Sequence, residues 1–108
     1  VHRLKVLPTT SLKVYNQDMK HTWHSSYEEN NYGDFFYALI RIYQQEKVVE
    51  LGTLTGYSAY HIARGLKANR HGTLDCYDLW ERYIENYGFE YISKSAAEKN
   101  LRKFFSKE

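Results

Sequence analysis

The apolar positions Phe35, Leu39, Ile42 and Tyr43 recur at i, i+4, i+7 and i+8, the spacing of one helix face. With Gly33-Asp34 as a start signal, this spacing predicts a helix over 34–45. The pattern then changes. Val48, Val49 and Leu51 form a short, β-branched apolar run ending in glycine, as expected of a strand buried on both faces of a parallel sheet. Past Gly56 the helical period returns, with Ala59, Ile62, Ala63 and Leu66 on one face, and Asn69 to Gly72 supply the next turn. Thr73 to Leu79 reads as a second strand with Asp75 as a polar intruder, whereas Glu81 to Tyr91 is mixed and ambiguous. Ser95 with Glu98 reads as a capping box ahead of a helix that carries Ala97, Leu101, Phe104 and Phe105 on one face.

Residues 1 to about 30 show no sustained period. Leu4, Val6 and Leu7 are compatible with a short strand, Pro8 to Ser11 with a turn, and Asn16 to Asn31 with a polar, aromatic loop or short irregular helix. The order helix, strand, helix, strand, helix places the chain in the α/β class. A strand-helix-strand unit with short connections makes a right-handed parallel crossover. The expected organisation is an irregular N-terminal cap segment over 1–33 and, over 34–108, a partial Rossmann-like cofactor-binding domain.

The candidate chemistry lies in Val48-Val49-Glu50-Leu51-Gly52-Thr53-Leu54-Thr55-Gly56-Tyr57-Ser58. It sits past the end of a strand and at the start of a helix, where open α/β sheets bind ligands. Gly52, lacking Cβ, lets a ligand approach the backbone, and Gly56 takes the tight turn into the helix. The first amides of that helix favour an anionic group. Ser58 and Thr55 add hydroxyls, and Glu50 adds an acceptor for a cationic amine. Asp78 follows Gly56 by 22 positions, at the end of the second strand, where a carboxylate can accept both hydroxyls of a ribose. Asp75 competes on spacing alone, but it falls nearer the strand start. A dinucleotide fingerprint begun at Gly52 requires glycine at 54 and 57, where this chain has Leu54 and Tyr57. No Gly-Lys-Ser or Gly-Lys-Thr follows, so a Walker loop fails too.

The run Glu-Leu-Gly-Thr-Leu-Thr-Gly-Tyr-Ser, from Glu50 to Ser58, resembles the first motif of class I methyltransferases that use S-adenosylmethionine, closest to their small-molecule O-methyltransferase branch. Gly72 to Asp78 resembles that family's second strand with its ribose-binding acid. The resemblance implies a Rossmann-like methyltransferase fold, of which this chain carries the first strand-helix-strand unit with flanking helices. It implies that Gly52 lies against the methionine part of S-adenosylmethionine, with Glu50 near its amino group and Ser58 on its carboxylate. Asp78 would hold the ribose and Leu79 pack on the adenine edge, with Thr53, Thr55, Gly56 and Tyr57 completing the cofactor loop. The implied activity is methylation of an oxygen on a small molecule or sugar. The family's later strands, which supply the substrate pocket and any metal ligands, have no counterpart here, and the chain begins at Val1. The expectation is therefore the front part of a longer enzyme, inactive alone, with its catalytic residues unassigned. A non-catalytic Rossmann-like nucleotide-binding or assembly module is the alternative.

Composition narrows the partners. Fifteen basic against 13 acidic residues leave a net charge of +2, scattered along the chain, which argues against nucleic acid. No apolar run approaches the roughly 20 residues that cross a bilayer, and no signal-peptide pattern opens the chain, so no membrane partner and a cytoplasmic location are expected. Cys76 is the single cysteine and reads as a small core residue. His21 and His24, with Asp18 nearby, have metal-like spacing, but no third ligand is fixed by spacing, so no metal is expected. His61 reads as exposed beside Arg64. A two-strand sheet would leave an edge and an apolar helix face uncovered, which makes self-association an expectation.

Overall fold

The computed structural model describes residues 2–8, 23, 25–80 and 93–104. Among the described residues eight short elements follow one another: strand β1 (His2–Val6), helices α1 (Ser26–Glu29) and α2 (Tyr32–Tyr43), strand β2 (Lys47–Leu51), helix α3 (Tyr57–Asn69), strand β3 (Thr73–Asp78), helix α4 (Lys94–Asn100) and a 3-10 turn (Arg102–Phe104). Asp18, His21 and His24, the ambiguous stretch from Glu81 to Tyr91, and Phe105 lie outside the described residues.

The strands form one sheet in the order β1-β3-β2. β2 runs parallel to β3, and β1 runs antiparallel to it. Among the described residues the sheet is therefore three-stranded and mixed, which corrects the expected two-strand parallel sheet. The correction comes from β1, the short strand with which Leu4, Val6 and Leu7 are compatible, which pairs with β3 and buries Leu4 and Val6. β1 falls within residues 1–33 and completes the sheet formed by β2 and β3.

The register sets Leu4, Cys76 and Glu50 abreast, with Val6, Leu74 and Val48 in the next row. These rows face the core, together with Ala59, Ala63 and Leu66 of α3 and Ala97, Leu101 and Phe104 after them. The opposite face carries Val49, 54% exposed, and Leu51, 81% exposed. β2 thus alternates instead of being buried on both faces. Asp75 also lies on that outer face, yet it is buried, with Arg3 Nε 3.7 Å from its carboxylate.

Helix ends show where short-range reading slipped. α2 starts at Tyr32, two residues before the expected Asp34, because Asn31 supplies a left-handed entry at φ 59°. Its C-cap, Gln44, is left-handed too and donates its N–H to the Ile40 carbonyl. α4 is capped by Ser93, not Ser95: the Ser93 hydroxyl accepts the Ala96 N–H at 3.0 Å from an extended backbone, and Glu98 is exposed. The apolar stripe of α2 is the larger surprise. Phe35, Ile42 and Tyr43 are 59%, 70% and 65% exposed, and the helix instead meets α3 through Gly33 and Ile40.

Candidate functional site

Between β2 and α3 the backbone makes a tight turn with three left-handed residues, Gly52 at φ 85°, Leu54 at 52° and Gly56 at 97°. The Gly52 N–H donates to Tyr77 O at 2.8 Å, which prolongs the β2–β3 pairing past the strand end. The Gly56 N–H closes the turn on Thr53 O at 3.0 Å. Gly56 then caps α3, with the Leu101 side chain 3.3 Å from where a Cβ would stand.

Leu54 is the costly member, since a left-handed non-glycine residue loses about 1–2 kcal/mol. Two residues beyond the turn hold it in place. Its N–H donates to Asp78 Oδ2 at 2.6 Å, and its carbonyl accepts the Trp80 indole N–H at 2.7 Å. Asp78 Oδ1 accepts the Trp80 backbone N–H at 3.0 Å. Asp78 is therefore buried and acts as the clip between the turn and the end of β3. Each of its oxygens keeps acceptor capacity, because a carboxylate offers about four lone-pair sites.

Glu50 stands beside this clip on β2. One carboxyl oxygen accepts the Ser58 hydroxyl, while the other, Oε1, is buried without a hydrogen-bond partner, as is Thr53 Oγ1. Burial pushes the Glu50 carboxyl above its ordinary 4.5, the Ser58 hydroxyl and the nearby Thr53 hydroxyl oppose this, and the Asp78 charge adds to it. Cys76, in the same row of the sheet, is pushed up to about 12, first by burial and then by the Glu50 charge, so its thiol is inert. Beside Gly52 there is open space: a Cβ built there meets nothing within 4 Å.

The other expected site residues divide by direction. The Thr55 hydroxyl donates to the Trp23 carbonyl, and Thr55 is buried. The Tyr57 hydroxyl accepts the Gly33 N–H at 2.9 Å, and its ring meets those of Trp23 and His61, so its side chain turns toward α2. Leu79 is half-buried, one residue past β3. Glu50, Gly52, Thr53, Ser58 and Asp78 are gathered at the strand ends, while Thr55, Gly56 and Tyr57 shape the turn from behind.

Three contributors escaped the sequence reading. Trp80 closes the turn from 26 positions away. Asn100 donates its side-chain N–H to Thr55 O at 2.9 Å. The Trp23 backbone carbonyl receives the Thr55 hydroxyl. Asn100 did leave a signal: with Ala97, Leu101 and Phe104 it falls at i, i+3, i+4 and i+7, a polar residue on the apolar stripe. His61, expected to be exposed, is half-buried, its ring so close to Gly33 that a Cβ there would come within 2.4 Å.

A family model described as O-methyltransferase matches residues 8–106. The chain belongs to the O-methyltransferase family. No curated protein and no solved structure matches it. For this O-methyltransferase family member, the matched range covers the whole turn from Gly52 to Gly56, both carboxylates and the helix that follows. No helix among the described residues is long and apolar enough to cross a membrane.

Proposed function

We propose that the chain binds S-adenosylmethionine at the β2–α3 turn and serves methyl transfer to an oxygen of a small molecule or sugar. The observation that carries this reading is the buried, unpartnered Glu50 Oε1 beside the open approach to Gly52. A buried acceptor without a partner costs about 1–3 kcal/mol, which a bound ammonium group would remove. S-adenosylmethionine supplies a methyl group activated on a sulfonium.

The residues divide the binding work. Glu50 and Thr53 present acceptors for the amino group, and Gly52 lets the methionine part lie against the backbone. The α3 amides, with Ser58, favour its carboxylate. Asp78 uses its remaining lone pairs for the ribose, and Leu79 offers an apolar edge for the adenine. Thr55, Gly56 and Tyr57 fix the turn in the shape this requires. A pair of carboxylates at neighbouring strand ends suits a ligand that carries positive charge on both its amine and its sulfur.

Calorimetric titration of S-adenosylmethionine and, separately, NAD into the chain tests the assignment. Binding of the methyl donor alone is expected, weakened at least about tenfold by Gly52→Val and by Glu50→Gln, with far-UV circular dichroism unchanged. Because Glu50 holds its proton to a higher pH than a free carboxyl does, wild-type affinity should fall as pH is lowered toward the carboxylate range. Glu50→Gln should abolish that pH dependence. Binding of NAD instead, or methyl-donor binding indifferent to both variants, would overturn the reading.

A further inference from the structure

Two bulky residues at the turn hold a left-handed backbone, Leu54 at φ 52° and Trp80 at φ 43°. For a large side chain that conformation is an outlier, and it persists only where the surrounding contacts over-determine it. Here one carboxylate joins the two. Asp78 Oδ2 accepts the Leu54 N–H at 2.6 Å, and Oδ1 accepts the Trp80 N–H at 3.0 Å. The indole closes the loop of bonds, its N–H donating to Leu54 O at 2.7 Å. Leu54 is thereby held on both sides, by Asp78 at its amide and by Trp80 at its carbonyl. The next carbonyl, Thr55 O, lies one residue ahead of Gly56 O, which accepts the Tyr60 N–H of α3. Thr55 O takes the Asn100 side-chain N–H at 2.9 Å. Trp80 and Asn100 are both buried, Trp80 fully, and removing either strips a loop carbonyl of that partner.

On the reading of this turn as the S-adenosylmethionine site, we infer that Trp80 is a positioning residue for it, acting through Leu54, with Asn100 as a second support. Glycine at 54 would enter the left-handed region freely and leave it as freely. Leucine stays there only while its amide and carbonyl are held, and in return its side chain packs on the core cluster. The turn therefore keeps one shape while the indole bond is made and relaxes when that bond is lost. Gly52 and Thr53 come immediately before Leu54, and Ser58 stands in the first turn of α3 just after it. A relaxed Leu54 displaces all three from the ligand they would share. The anchor itself is firm, because the Trp80 ring belongs to the same buried cluster as Leu101 and Phe104.

Amide hydrogen exchange followed by NMR on the full chain, without ligand, reads the hold on the turn. Trp80→Phe keeps an aromatic ring and removes the donor. It should speed exchange of the Leu54 and Gly56 amides at least about tenfold relative to the Leu74 and Cys76 amides of β3. Val6→Ala, a core truncation paired with the opposite end of β3, should not single out the turn. Calorimetric titration of S-adenosylmethionine reads the consequence. Trp80→Phe should weaken binding at least about tenfold, Asn100→Ala should weaken it less, and Leu54→Gly added to Trp80→Phe should recover at least about threefold. Recovery marks positioning, since a residue that only filled the core would gain nothing from glycine at 54. Exchange at Leu54 and Gly56 unaltered by Trp80→Phe would overturn the inference, and so would a double variant that binds no better than Trp80→Phe. A wild-type chain that binds no methyl donor, with the exchange result intact, would overturn the reading of the turn as the cofactor site, and the positioning role with it.

Discussion

α2 and α3 lie against each other, carry similar apolar periods, and are held by different forces. Along α3, Ala59, Ala63 and Leu66 are fully buried against the sheet and the 3-10 turn, so its own hydrophobic face secures it. α2 turns its aromatic stripe outward and touches α3 where a glycine of one helix meets a side chain of the other, Gly33 against His61 and Ile40 against Gly65. Gly65 lies so near Ile40 that a Cβ there would stand 2.8 Å from the Ile40 Cβ. Polar pins complete the attachment. Tyr57 accepts the Gly33 N–H at one end, and at the other the Asn69 side-chain amide donates to Ile40 O at 2.9 Å. Arg64 bridges the middle, bonded to Asp34 and lying 3.9 Å from the Tyr37 ring centroid. The difference teaches that a helical apolar period marks a face to be covered without saying what covers it.

Three substitutions test this contrast. Leu66→Ala empties a fully buried position and should cost about 2–5 kcal/mol in urea unfolding. A loss below about 1 kcal/mol would show that α3 is not secured by its apolar face. Gly65→Ala comes next. In an exposed helix this change would stabilise by up to about 1 kcal/mol. Here the added methyl meets Ile40 and the Tyr37 carbonyl, and overpacking should cost about 1–3 kcal/mol instead. A gain in stability would break the idea that α2 docks by close backbone approach. Ile42→Glu is the smallest. Because Ile42 is exposed, the change should shift stability by no more than about 0.5 kcal/mol. A loss above about 2 kcal/mol would place Ile42 in the core and remove the distinction between the helices.

The turn from Gly52 to Gly56 was legible because its chemistry is local. Gly52 and Gly56 both adopt the left-handed backbone that glycine accepts freely, one at the strand end and one at the helix cap. Asp78 was legible from its position at the end of β3, and the structure ties it to Leu54. Trp80 and Asn100 were not legible as parts of the turn, because each reaches a loop carbonyl 26 or 45 positions away. Nothing in the local sequence marks a side chain as the donor to a distant backbone group. Leu54 is the instructive case: the dinucleotide spacing asks for glycine there, and the residue does adopt a left-handed φ of 52°, held by those distant donors and acceptors.

By itself the sequence determined the element types from α2 to β3, the buried side of α3 and the glycine turn, since these rest on period, branching and backbone freedom within a few residues. Tertiary structure alone decided that β1 runs antiparallel beside β3, that the outer face of β2 and the stripe of α2 stay exposed, and that Glu50 keeps one carboxyl oxygen without a partner. Those outcomes depend on which surfaces meet, and that is settled by the summed packing of elements far apart in the chain.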